Sequence, residues 1–447
     1  MIDESHLTRG AVRGVAGIVP MVVSILVLAW LLPVAAAAPS SGAAVSVPIG
    51  PTGTVGVAAA PASDLQRTIN LAPPGSTVHF PAGVYVGQLV VHKNLTILGA
   101  GEGKTILESS AHMTPDALGN VFAIEILGHV TVEIAHLSVR VTEQCMLSNS
   151  IGVATGGGIG VGDNSTLSVL DTHLAAYGSA PHLNKACTTS TKSSGMYSFG
   201  RAVSIGFDDG PGVGTNYEVE GHGTVSNVTA QGFDIFSISV GGVRGPSGST
   251  ATIIDNVVRV GPGPYTAAYG IVVYGVSTIA NNLVTGEPGS DGGIAVVDTS
   301  AVVTSNVVRN FSCYSAPFAI SPPCGVDPLY DDQDLGIFLA AITPGTLVEY
   351  NTIQRVDSGI LIEGPGAPAV VVHNEITAST FYALELIDAR QIFHNNELLG
   401  GMYAIAVGAG ASNAKGILSH NTIHGYSESL ALLESNYPWV ASVVVTK

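Results

Sequence analysis

One short phrase, apolar-x-apolar-x-Asn-x-apolar, returns through the second half of the chain. It reads TIIDNVV around Asn256, TIANNLV around Asn282, VVTSNVV around Asn306 and LVEYNTI around Asn351. It continues as VVVHNEI around Asn374, QIFHNNEL around Asn396 and ILSHNTI around Asn421. The steps are 26, 24, 45, 23, 22 and 25 residues, the 45 being two turns or one turn plus an insertion. Between them runs a second phrase: GIVVYG from Gly270, GIAVVD from Gly293, GIFLAA from Gly336, GILIEG from Gly359, YALELI from Tyr382 and YAIAVG from Tyr403. Both phrases alternate apolar with other residues, the period of a strand. Parallel strands joined by helices would need 10–15 helical residues in every gap, and none are visible. The arrangement that buries every inward side chain is a solenoid whose coils stack on one another. The recurrent Asn then points inward at a turn and hydrogen-bonds up and down the stack.

Composition agrees with a long, uncharged core. Of 447 residues, 46% are hydrophobic and only 11% charged, where about 25% charged is usual. That excludes a charged disordered chain and a coiled coil. Lys and Arg number 16 against 33 Asp and Glu, for a net charge of −17. Such a chain will not hold nucleic acid by neutralising phosphates, nor seek an anionic membrane.

Residues 1–38 read as a signal peptide: Arg9 and Arg13, then an uncharged run with VVSILVLAWLLP, then Ala35 and Ala37 before a cleavage site at Ala38. The alternative is an uncleaved anchor, since the run is long enough to span a bilayer. Residues 39–62, rich in Pro, Ser, Gly and Ala, read as a linker, and 63–447 as one solenoid domain. The expected location is therefore secreted or cell envelope. Four cysteines allow three pairings. The simplest joins Cys145 to Cys187 and Cys313 to Cys324; the alternative is four buried thiols.

The phrases, with the opening run from Asp64 to Asn70 and the following APPGSTVHFPAGVYVGQLVVHKNLTILGAGEGKTIL, resemble the right-handed parallel β-helix proteins of the pectate-lyase-like superfamily. The resemblance implies an all-β right-handed parallel β-helix over about residues 63–435, with an N-terminal cap helix and inserted loops. It leaves the activity open, because one fold hosts many functions. Three stretches break the periodicity and are expected as inserts: 141–200, 206–223 and 311–335.

Five groups of residues are candidates for chemistry. Glu375 and Glu397 follow their Asn, so they should face outward in one register on adjacent coils, where one carboxyl can serve as acid and the other as base or nucleophile. Aligning His373 with His394 instead would break that pair. The acidic run Asp327, Asp331, Asp332 and Asp334 has the oxygen ligands for Ca²⁺, and the β-helix resemblance, through lyases that neutralise a uronate with Ca²⁺, adds to that expectation. Asp208 and Asp209, followed by His222 in a GHG, look like two of the four polygalacturonase motifs, although the spacing is too short for one coil and no NTD or RxK is present. Arg309 and Arg355, with Arg259, are outward arginines suited to the carboxylates of an acidic polysaccharide. His373, His394 and His420 would suit a metal-handling protein. On the second phrase, Val272, Tyr274, Phe338 and Leu361 face outward yet are apolar; Tyr274 and Phe338 are expected to stack on sugar rings. The function expected is polysaccharide hydrolysis or β-elimination. The alternative is a non-catalytic polysaccharide-binding or structural protein of the envelope.

Overall fold

A computed structural model describes residues 60–109, 122–142, 144–147, 157–177, 186–188, 194–198, 201–208, 218–233, 236–241, 247–261, 269–287, 290–311, 334–364, 366–387, 390–408, 415–428 and 431–432. Neither the leader 1–38 nor most of the linker falls among them. The described chain winds as a parallel β-helix with three faces. The strands entering each Asn form a 12-stranded parallel sheet, here the pre-asparagine face, as in Gly275–Ala280, Ala301–Thr304, Leu347–Glu349 and Val370–Val372. Strands leaving the Asn, such as Leu283–Gly286, Val307–Phe311, Thr352–Val356 and Glu375–Thr377, form the post-asparagine face. The second phrase supplies the third face: Tyr269–Val273, Gly292–Val297, Leu335–Ala340, Ser358–Glu363 and Tyr382–Ile387. Strand Glu397–Gly408 runs from the post-asparagine face into the third without a break.

The turn between the first two faces explains the first phrase. The residue before each ladder position adopts a left-handed backbone: Asp255, Asn281, Ser305, Tyr350, His373, Asn395 and His420 all have φ between 55° and 58° or within a degree of it. One residue in that conformation turns the chain sharply. The Asn that follows is aimed inward, and each backbone N–H from Asn256 to Asn396 donates to Oδ1 of the next Asn at 2.9–3.0 Å. Each Nδ2 donates to that same oxygen, and to a backbone carbonyl such as Val303 for Asn351. Asn306 pairs directly with Asn351, so the 45-residue step is one coil with an insertion.

The core is a column of Ile, Val, Leu and Phe with essentially no exposure, for example Ile271, Ile294, Ile337 and Ile360 stacked in register. Beside it the second phrase requires small residues. A Cβ on Gly336 would lie 2.5 Å from the Gly359 carbonyl oxygen and 2.6 Å from Ile353. The cap is helix Ser63–Leu71, which buries Leu65 and Ile69 over the first coils. Gln66 closes the sheet end by pairing its amide with both N–H and C=O of Val90.

The inserts are narrower than expected. Strands Gly157–Val161, Ser165–Leu170 and His173–Tyr177 form a full coil inside 141–200. Its Gly-rich start hid it: a Cβ on Gly160 would lie 2.4 Å from the Phe122 ring, so side-chain alternation is sterically forbidden there. The remainder of that stretch adds an antiparallel sheet of Gln144–Leu147, Ser194–Ser198 and Ala186–Thr188. Cys145 and Cys187 lie on its two outer strands, in register with Tyr197 and Gly195 of the central one. In 206–223 a two-stranded hairpin, Phe207–Asp208 with Glu218–Val219, precedes strand Gly221–Ser226, which already belongs to the helix. Cys313 and Cys324, with nearly all of 311–335, lie outside the described residues. The solenoid begins earlier than the composition implied, because Ala60–Pro61 already pairs with Tyr85–Val86. Among the described residues no helix is long and apolar enough to cross a membrane.

Candidate functional site

The outward side of the third face concentrates groups that an outward sheet surface does not ordinarily bury. Its first row runs Arg201, Phe236, Tyr269, Gly292, Leu335, Ser358, Tyr382 and Tyr403 on successive coils. The next runs Ser204, Ser239, Val272, Ala295, Phe338, Leu361, Glu385 and Ala406. Phe236, Val272, Tyr274 and Ala295 form an apolar cluster separate from the core, with Tyr269, Val297 and Phe338 packed on it. Tyr382 and Tyr403 stack with ring centroids 5.6 Å apart, beside Phe381. Val272, Tyr274, Phe338 and Leu361 lie on this outward side, but Val272 and Tyr274 are buried within the cluster, so Tyr274 has no open ring face for a sugar, while Phe338 and Leu361 are partly exposed.

Glu385 lies between these two patches. It is only 4% exposed, and Ser358 Oγ donates to its Oε2 at 3.3 Å. Burial pushes its carboxyl up to about 7; the Ser358 hydrogen bond opposes this and the nearby Glu363 charge adds to it. Burial also pushes Tyr382 up to about 12, with Glu385 and then Tyr403 contributing. Tyr269 is raised by burial first, then by Asp291, Tyr274, Asp334 and Glu363. Glu363 itself is exposed and stands diagonally from Glu385, one coil back and two residues along, given the Leu361–Glu385 register. Strand spacing and rise put their Cα atoms about 8 Å apart. A carboxyl that titrates near pH 7, flanked by aromatic surface and an ionisable partner, is equipped to give or take a proton.

Asp334 is the one member of its acidic run among the described residues; Asp327, Asp331 and Asp332 lie outside them. It is buried just before strand Leu335–Ala340, and its backbone carbonyl accepts from the N–H groups of Asp357 and Ser358 at 2.9 and 3.3 Å. Asp291 holds the equivalent place one coil earlier, accepting from Leu335 N–H. Among the described residues no group of three His, Cys, Asp or Glu side chains is placed to hold a metal ion.

Glu375 and Glu397 are in register on adjacent coils, as their Asn alignment predicts, with Thr352 and Thr422 above and below. Both are exposed on the post-asparagine face, away from the Glu385 row. The alternative His alignment fails, because His394 pairs in register with Val372 and Ser419, one residue before the turn position of His373. His394 instead meets Ser419 Oγ through Nδ1 at 2.7 Å and packs edge-on to His420. His222 lies on the pre-asparagine face, its Nδ1 2.9 Å from Thr250 Oγ1. Asp208 is in the hairpin that follows strand Arg201–Ile205, and Asp209 lies outside the described residues. Arg309 and Arg355 sit on the post-asparagine face and its corner, neither beside Glu385.

Sequence reasoning passed over Glu385, Ser358, Glu363, Tyr269, Tyr382 and Tyr403. A signal was there: aligning the Leu of YALELI with the Ile of GILIEG, rather than Tyr with Gly, puts Tyr382 below Ser358 and Glu385 below Leu361.

No known family model and no curated protein matches this sequence. Solved structures do match. The A-module of the mannuronan C-5 epimerase AlgE4 of Azotobacter vinelandii aligns over 88% of this chain and 98% of its own, with a TM-score of 0.54 and 13% identity. The chain is a right-handed parallel β-helix. This solenoid also aligns over 83% of its length with the periplasmic alginate epimerase AlgG and 83% of that chain, at a TM-score of 0.48 and 13% identity. With Dettilon tailspike protein it shares 80% of its own length and 61% of the tailspike chain, at 0.49 and 13%. The fold is what the AlgE4 module shares with this chain; at 13% identity the side chains on the faces are its own.

Proposed function

We propose that this protein is an exported polysaccharide-acting enzyme whose site is the outward third face around Glu385. The observation that carries the reading is a buried carboxyl held near neutrality between two aromatic patches. The protonated form of Glu385, about half of the molecules at neutral pH, donates its proton to the glycosidic oxygen as the bond breaks, the role of a general acid in glycoside cleavage. Glu363, exposed and diagonal to it on the preceding coil, acts as the partner carboxylate that takes the proton of an attacking water. Phe338, Leu361 and Tyr403, each partly exposed, provide the apolar surface on which sugar rings rest. The Ser358 hydroxyl fixes the rotamer of Glu385 and stabilises the carboxylate left after proton transfer. A polysaccharide substrate is supported by the epimerase of like fold, named for mannuronan. Export is supported by the leader-like segment Arg9 to Ala38.

The test is a screen of the purified chain, without residues 1–38, against acidic and neutral polysaccharides, with and without Ca²⁺. Reducing ends report hydrolysis and ultraviolet absorbance of unsaturated sugars reports elimination. Reducing ends without absorbance, abolished in Glu385→Gln, are expected. Absorbance would replace hydrolysis with elimination, and Ca²⁺ dependence would bring in the Asp327–Asp334 run. Silence in both readouts with retained glycan binding would make the protein a binding module and refute the enzyme reading.

A further inference from the structure

We infer that the post-asparagine face carries a separate anion-binding track, built on Arg259, Arg309 and Arg355, that takes an acidic polysaccharide chain. The direct pairing of Asn306 with Asn351 brings Arg355 to the coil next to Arg309, although 46 residues separate them in sequence. Arg259 is in register with Thr285, Thr285 with Arg309, and Arg309 with Gln354. Arg259 and Arg309 are therefore two strand spacings apart, about 9.6 Å. Arg355 follows Gln354 at an exposed left-handed corner with φ of 54°. Six successive coils thus present Gln231, Arg259, Thr285, Arg309, Gln354 and Thr377 in one outward row, with no carboxylate among them.

The neighbouring row on the same face is Thr229, Val257, Leu283, Val307 and Thr352, uncharged until Glu375 on the sixth coil. Nearby acids are Glu287 near the corner, the buried Asp357 two residues after Arg355, and Glu375 and Glu397 at the far end. The ion pairs among the described residues are His136–Asp171 and Arg140–Glu108, so none of the three arginines has one. Arg309 Nε is shielded from solvent and lacks a hydrogen-bond partner. In a chain of net charge −17, two arginines without an ion pair on one straight row, with a third at its corner, mark a place kept for an external anion. Arginine forks pair with carboxylate or sulfate, and the interleaved Gln and Thr side chains suit sugar hydroxyls. The row holds no aromatic side chain on which a nucleic-acid base would stack, and the acidic body repels a dense phosphate chain. The track lies on a different face from Glu385, so its failure and the failure of that assignment are separable.

The experiment is calorimetric titration of the full-length chain at low ionic strength with polygalacturonate, dextran sulfate, neutral dextran and duplex DNA. Binding of polygalacturonate or dextran sulfate, weakened by added salt, is expected, the tighter of the two identifying the anion. The double variant Arg259→Gln/Arg309→Gln should bind about tenfold more weakly, the loss of two charge-assisted contacts discounted for exposure. Glu385→Gln should bind within about twofold of wild type. Arg355→Gln, at an exposed corner, serves as the second variant should the double one lower the melting temperature. Equal binding of neutral dextran or DNA, no binding of either acidic glycan, or unchanged affinity in folded arginine variants would each overturn the proposal.

Discussion

Removing one rung from the middle of the asparagine ladder should be costly in a way that can be worked from its contacts. Asn351 is 1% exposed. Its Nδ2 donates to Val303 O and Asn374 Oδ1, and its Oδ1 accepts from both N and Nδ2 of Asn306, all at 2.9–3.0 Å. Asn351→Ala deletes these four bonds and strands the Asn306 N–H where no water reaches. At about 1 kcal/mol for each satisfied bond, with more for the stranded donor, the loss is about 4 kcal/mol. Asn421 ends the described ladder, is 8% exposed, and makes three such side-chain bonds. Its alanine variant should lose about half as much, because water can replace part of what is lost. Urea titration followed by circular dichroism measures both, from the shift in midpoint at constant slope. A cost below about 1 kcal/mol at Asn351, or equal costs at the two positions, would refute the ladder as a source of stability.

Other consequences follow from the same geometry. Burial raises Glu385 from 4.5 to about 7 in the folded state, so the folded protein binds a proton there that the unfolded chain has released between those values. Its contribution to stability is complete below about pH 4.5 and falls by about 3 kcal/mol as pH rises to 7; urea midpoints across that range should show the slope in wild type and lose it in Glu385→Gln. For the same reason, activity that needs the protonated form should decline above about pH 7, read from a pH profile of kcat/KM. Gly336→Ala forces a Cβ against the Gly359 carbonyl oxygen and Ile353 and should cost about 1–3 kcal/mol. Glu375→Gln and Glu397→Gln, on exposed positions, should change stability by less than about 0.5 kcal/mol.

The fold was legible because its determinants are local and periodic. A left-handed residue followed by an inward Asn turns the chain, and a small residue before Ile271, Ile294, Ile337 or Ile360 fits against the next coil; both leave a mark every coil. The coil at 157–177 was illegible because Gly157, Gly158 and Gly160 carry no side chains to alternate, the space being taken by Phe122, Ala202 and Leu174. The site was harder. Glu375 and Glu397 stand in register as the Asn alignment implied, but register alone says nothing about burial, and both are exposed. Glu385 owes its altered chemistry to burial beside Ser358 and the Tyr382–Tyr403 stack, contacts between coils over 21–27 residues that the linear spacing does not single out. The arginine track was half legible: the 26- and 24-residue steps put Arg259 and Arg309 two coils apart, but the 45-residue step made Arg355 look remote from Arg309.

The most direct test of the central claim compares the two carboxylate positions on one substrate. Turnover of whichever polysaccharide the screen identifies should be measured for wild type, Glu385→Gln and the double variant Glu375→Gln/Glu397→Gln. A loss of 10²-fold or more in kcat for Glu385→Gln, with the double variant retaining wild-type turnover, is the predicted result. Retained turnover in Glu385→Gln with loss in the double variant would move the chemistry to the post-asparagine face and contradict the account.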